Sequence, residues 1–240
     1  MIIIGLGHKA RRGKDTVAEY LANEHGLGIL HFSDALYEEC RMAQVRYRTI
    51  LSEGIETSSL TIGTLATDDP PSVYMSNDIS KMPNGDIKNL FDKVVPWIQT
   101  KGEPLSMDKY SEEWIFRGML EKDGRLLQWW GTEFRRRLHD DLYWINKVDD
   151  KIEEIKHEVP GVAIPDTRFR NEAAYVRNMD GGALWKVQRD KPLEDTGRDP
   201  NHISEIDLDN WSEWDTTINN NGGLDELYKK SETHYKVLVA

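Results

Sequence analysis

Cysteine is almost missing from this chain: Cys40 is the only one in 240 residues. An internal disulfide and a cysteine-based zinc centre are both excluded, and a reducing compartment suits the composition. Long apolar runs are missing too. No stretch approaches the length of a membrane span, and Met1–Ile4 is too short for a secretory leader, so a cytoplasmic chain is expected. Positive charge is in deficit, with 31 Lys and Arg against 42 Asp and Glu and a net charge of −11. That argues against general nucleic-acid binding, which needs a basic face. The seven histidines never form His-Glu-x-x-His. Internal repeats and low-complexity tracts are absent as well.

What is present begins at residue 1. Met1–Leu21 reads MIIIGLGHKARRGKDTVAEYL. A short apolar run enters a glycine-bearing loop, the loop ends in Gly13-Lys14-Asp15-Thr16, and a helical pattern follows. Strand, glycine loop with lysine, then helix is the arrangement that cradles the phosphates of ATP or GTP. Backbone N–H groups of His8, Lys9, Ala10, Arg11, Arg12 and Gly13 would point inward, and Lys14 would reach the β- and γ-phosphates. The usual pattern is Gly, four residues, Gly-Lys-Ser/Thr. Here His8 stands where the first glycine belongs, and Asp15 follows the lysine. Asp15 is a candidate Mg²⁺ holder through water, and Thr16 a candidate contact for an α-phosphate. The competing reading is a basic turn before a surface helix; the strand directly ahead of the loop favours phosphate.

The remaining pattern alternates. Strands are expected over 1–7, 30–33, 161–166, 183–187 and 216–219, with the tail after 230 a last strand or a loose end. Helices are expected over 14–24, 34–47, 87–99, 111–121, 141–159, 172–178 and 224–230. Leu127, Trp130, Phe134 and Leu138 recur at helical spacing as a core-facing stripe. This alternation implies a mainly parallel sheet with helices on both faces, a three-layer α/β/α single domain spanning 1–240. Residues 52–113, rich in Ser, Thr, Asp, Pro and Gly, look like an insertion. The charged loop 189–201, with Arg189 and Arg198, is a candidate lid. Trp129, Trp130, Trp144 and Trp185 are expected to pack, their indole N–H groups finding local partners.

Two further groups of residues carry chemistry. Gly161–Pro165 reads as a buried strand ending in Asp166. Ligands in open α/β sheets lie at that edge, where an acid holds Mg²⁺ or serves as a helix N-cap; both readings stand. Arg168, two residues on, is placed to clamp phosphate oxygens, with Arg170 the weaker candidate. Arg125, Gln128, Thr132 and Arg136 share one polar face of an otherwise apolar helix, which favours a ligand wall. Of Arg135–Arg137, at least one is expected to lie on a solvated face.

Taken together, the blocks Gly7–Thr16, Phe32-Ser33-Asp34-Ala35-Leu36, Leu127-Gln128-x-x-Gly131-Thr132-Glu133, Asp166-x-Arg168-Phe169-x-Asn171-Glu172 and His202-x-Ser204-Glu205 resemble the bacteriophage deoxynucleoside monophosphate kinases. Asp215…Asn219-Asn220 followed by Leu224–Leu227 is similar too. The resemblance implies a P-loop kinase fold with a largely helical insertion, ATP and Mg²⁺ as donor and cofactor, and a deoxynucleoside monophosphate as acceptor. It implies that Lys14, Asp15 and Thr16 meet the ATP phosphates and the metal. Arg125, Gln128, Arg136 and Arg168 would face the acceptor or the transferring group, and Asp34 and Glu133 would lie near the acceptor. Tyr37 departs from the lysine common at that point. A homodimer, and a host cytoplasm for a phage-encoded chain, are further expectations from the resemblance. Two rivals remain: a P-loop kinase for another phosphorylated small molecule, and a nucleotide-dependent switch or assembly factor.

Overall fold

In a computed structural model of the chain, residues 1–54, 79–94, 127–137, 139–190 and 199–240 are described. The apolar run at the N-terminus forms β1 (Ile2–Gly7), buried from Ile3 onward. Such a run, apolar on both faces, belongs in the middle of a parallel sheet. That is where it lies: β1 pairs in parallel with β3 (Gly161–Thr167) on one side and β4 (Gly182–Gln188) on the other. β2 (Gly28–Ile29) and β5 (Thr216–Asn219) are the edges, giving the order β2-β3-β1-β4-β5, all parallel.

One face of the sheet is covered by α1 (Lys14–His25) and the last helix, α7 (Leu224–Leu238). Val17, Ala18 and Leu21 of α1 and Leu227 and Tyr235 of α7 share a core with Ile4, Leu6, Ala163, Trp185 and Ile218. On the other face α5 (Arg170–Asn178) brings Ala173 against Leu184 and Leu208. Gly5 allows this approach, since a Cβ there would meet Leu184, Thr167 and Val176 at 3.1 Å. The three-layer α/β/α expectation therefore holds.

Two expectations fail. The second strand is the two residues Gly28–Ile29, not 30–33. Phe32 and Ser33 direct their N–H groups to the Asp166 side chain instead of a ladder. The tail is neither strand nor loose end: α7 runs to Leu238, burying Leu227, Ser231 and Tyr235 at four-residue spacing. α4 (Tyr143–Ile155) is shorter than expected, and α2 (Asp34–Glu53) is longer. No helix among the described residues is long and apolar enough to cross a membrane.

The chain divides into two compact units, residues 1–34 with 140–240, and residues 35–139. In the second unit α2 meets α3 (Asn84–Asn89), which continues as a π-helical turn over Leu90–Val94. Tyr47 stacks on Phe91 with ring centroids 4.7 Å apart, and Arg46 donates to the carbonyl of Met82 and to Asn84 Oδ1. Cys40 of α2 is buried, and burial pushes its thiol pKa far up. Trp129–Arg137 forms a π-helical segment rather than a regular α-helix. Most of 52–113, the helix expected over 111–121, Arg125, Leu138 and residues 191–198 of the proposed lid lie outside the described residues.

Candidate active site

The register of β1 sets the site. Gly7, its last residue, pairs with Thr167 of β3 and with Lys186 of β4. The chain then leaves β1 into the loop 8–13 and leaves β3 into Arg168, so loop and arginine start side by side. The sheet order also reverses at β1: the β1–β2 connection steps over β3, and the β3–β4 connection steps over β1. Such a switch point opens a crevice at the carboxyl edge.

The loop holds left-handed turns at His8 (φ 86°), Arg11 (φ 54°) and Gly13 (φ 98°). Gly13 precedes α1 and offers no side-chain cap to its first-turn N–H groups. Together with the helix dipole they present positive potential to an anion. Gly13 has no room for a side chain, because Asn220 Nδ2 occupies the place of a Cβ. That amide donates to the carbonyl of Arg12 at 2.9 Å, and the Arg12 guanidinium donates to the carbonyl of Arg189. Lys9 and Ala10 lie between these turns, and Thr16 is half-buried in the first turn of α1.

Lys14 is only 3% exposed, and its Nζ donates to the carbonyl of Lys9 at 2.6 Å. Burial pushes its pKa down to about 7, and the neighbouring Arg168 acts in the same direction against Asp15, Asp166 and Glu205. Two cations held together in a desolvated place are arranged for an anion. Arg168 is fixed from both ends. Its guanidinium donates to Glu205 Oε1 at 2.8 Å, and its backbone N–H reaches Glu172 Oε2 at 2.7 Å. Glu172 also accepts the N–H of Phe169. Arg170 turns away, its Nε donating to the carbonyl of Asp207.

Asp166 is not the N-cap of the next helix; Phe169 holds that position. Its two carboxylate oxygens accept the N–H groups of Phe32 and Ser33, both at 2.9 Å, tying β3 to the start of α2. A carboxylate keeps further lone pairs beyond two such bonds. His31, which the sequence did not single out, stands between Asp15 at 3.6 Å and Asp34 at 3.3 Å. Pairing with Asp15 and then with Asp34 pushes its pKa up to about 10, against burial. His31 in turn holds the carboxyl of Asp15 below its usual range. The three-residue spacing from His31 to Asp34 was a readable signal. Among the described residues no group of three or more His, Cys, Asp or Glu forms a metal cage. The exposed Asp15 and the half-committed Asp166 instead fit Mg²⁺, which keeps waters and phosphate oxygens and takes only one or two carboxylates.

The residues expected on the acceptor side divide. Asp34 lies in the first unit with the loop. Gln128, Thr132, Glu133 and Arg136 lie in the second, where Gln128, Thr132 and Arg136 are buried. Arg135 is fully buried and pairs with Glu39, while Arg137 is the solvated member of the three and pairs with Glu133. Trp130, Trp144 and Trp185 pack as expected, but the buried indole N–H of Trp130 has no hydrogen-bond partner among the described residues. Asp209, which grips the loop, escaped the sequence reading, since its partners lie about 200 positions away; Glu205 stood in a quoted block, but its grip on Arg168, 37 positions off, did not show there.

A family model described as deoxynucleotide monophosphate kinase matches residues 86–231, more than half of the chain and none of the loop at 8–16. The deoxynucleotide monophosphate kinase of Enterobacteria phage T4 is 30% identical over 115 residues, 48% of this chain and 45% of that protein. The aligned segment thus spans about half of the relative's length. A sugar kinase crystal structure from Janibacter sp. HTCC2649 aligns over 99% of this chain and 95% of that one, at 10% identity and a TM-score of 0.45, too low to carry an argument. On the extent of the family match, the chain belongs to the deoxynucleotide monophosphate kinase family.

Proposed function

We propose that this chain transfers the γ-phosphoryl group of ATP to the phosphate of a deoxynucleoside monophosphate, with Mg²⁺. One observation carries the reading: the desolvated Lys14 beside Arg168, at the mouth of a loop that leads into an uncapped helix. The loop lies outside the matched residues, so it supports the reading independently of the family match.

The bond from the γ-phosphorus to the ADP oxygen breaks, and one forms from that phosphorus to an oxygen of the acceptor phosphate. That oxygen is already anionic, so no general base is required. The difficulty is bringing two anions together, and catalysis is charge neutralisation and alignment. Loop amides and Lys14 hold the β- and γ-phosphates, and Thr16 meets the α-phosphate. Arg168, kept in place by Glu205 and Glu172, neutralises the equatorial oxygens of the transferring group. Mg²⁺, when bound with the nucleotide near Asp15 and Asp166, supplies further charge neutralisation at the phosphates. Asp34, Arg125, Gln128, Thr132, Glu133 and Arg136 are proposed to face the acceptor.

The test is a panel of deoxynucleoside monophosphates with ATP, followed by ADP release. Turnover is expected with at least one of them, and Lys14→Ala is expected to lower kcat by about two orders of magnitude or more, as for loss of a transition-state charge contact. Turnover only with another phosphorylated acceptor, or slow hydrolysis indifferent to any acceptor, would assign the site to one of the two rivals instead.

A further inference from the structure

His8 stands where the Gly-x4-Gly-Lys-Ser/Thr pattern has glycine, and its φ of 86° is one that glycine adopts freely and histidine does not. The conformation is therefore held by something other than its own backbone preference. Asp209, in the turn after α6 (Ile203–Ile206), meets Nε2 of His8 at 3.1 Å with Oδ1 and Nζ of Lys9 at 3.1 Å with Oδ2. One carboxylate thus grips two successive side chains of the loop. Trp214 closes the same corner. Its ring lies edge-on to His8, with centroids 6.4 Å apart, and fills the place of a Cβ on Gly7. Burial, seconded by Lys186, lowers the pKa of His8 against the pull of Asp209. The imidazole is then mainly neutral at pH 7, so its contact with Asp209 is a hydrogen bond that selects the Nε2–H tautomer.

Charge alone argues against an acid here. A carboxylate beside a loop that receives phosphates repels them. We propose that Asp209 is a positioning residue for the phosphate loop: it holds His8 in the left-handed turn that glycine would adopt unaided. The inference rests on reading the loop as the donor-phosphate site. Without the grip, His8 relaxes toward negative φ, and the N–H groups of the following residues swing off the phosphates.

The experiment is calorimetric binding of ADP with Mg²⁺ to the full chain, comparing wild type, Asp209→Ala, Asp209→Asn, His8→Gly and the His8→Gly/Asp209→Ala double variant. Thermal melts confirm that each is folded at the assay temperature. With histidine at position 8, Asp209→Ala is expected to weaken ADP about tenfold, the size of one released backbone strain. In the glycine background the same change is expected to cost about twofold or less, the two positions being coupled. Asp209→Asn, which keeps shape and acceptor, is expected to fall between and serves if the alanine variant does not fold. Unchanged or tighter binding on loss of Asp209 would overturn the inference, and so would an equal loss in both backgrounds. Wild-type protein that binds no ADP would remove the loop reading itself, and the inference with it.

Discussion

Lys14 carries the sharpest consequence at the scale of a single residue. With its pKa near 7 it is mostly neutral above pH 8 in the free chain. A bound polyphosphate favours the ammonium form, so nucleotide binding between pH 8 and 9 is expected to take up close to one proton. Calorimetry in two buffers of different ionisation enthalpy reads this directly, and an enthalpy independent of the buffer would remove the desolvated-lysine account. This residue was legible in the sequence because its neighbours carry the pattern. Asp209 was not, because a partner about 200 positions away leaves no mark on its own neighbourhood, and His31 showed only its spacing to Asp34. Glu172 was quoted as part of a block, yet only the fold shows its use, which is to accept the N–H groups of Arg168 and Phe169.

Among the elements, α7 gives a clear test of the structure against the first reading of the tail. A strand would alternate its side chains across 236–239, whereas the helix buries Leu227, Ser231 and Tyr235 and leaves Val237 74% exposed. Leu227→Ala is therefore expected to destabilise the fold by about 2–5 kcal/mol, and Val237→Asp by no more than about 0.5 kcal/mol. Urea unfolding separates the two, through a lower midpoint at similar slope for the first variant alone. The β-branched Val237 and Val239 near the end explain the misreading: their local preference favours strand, and packing against α1 overrides it. β1, β3 and β4 were legible because strands buried on both faces read as plain apolar runs. β2 was not, since two residues beginning with Gly28 give no periodicity.

For the whole molecule, two opposed protonation events shape stability. His31 has a pKa raised to about 10, so its pairing with Asp15 and Asp34 contributes fully below the unfolded value near 6.5 and is lost as pH rises to about 10. Lys14 acts with the other sign. Its pKa is depressed from 10.5 to about 7, so between those values the unfolded chain binds more protons and stability rises with pH. The two slopes oppose each other from pH 7 to about 10, and the wild-type melting temperature is expected to be nearly flat there. His31→Gln is expected to unmask a rise with pH and Lys14→Met a fall. Melts that keep the wild-type profile in both variants would contradict the pairing. The parallel sheet with helices on both faces was implied by alternation of strands and helices, but its strand order and the bounds of the two compact units were not. Composition changes gradually across 35 and 139, and contact, not composition, separates the units.

The lone thiol has a practical corollary. Cys40 sits inside α2 with its sulfur shielded and its ionisation suppressed, so maleimide reagents should pass it by. A cysteine engineered at an exposed site such as Glu213 would then be the only reactive handle, and a fluorophore attached there could report motion near Trp214 without any background-removing substitution.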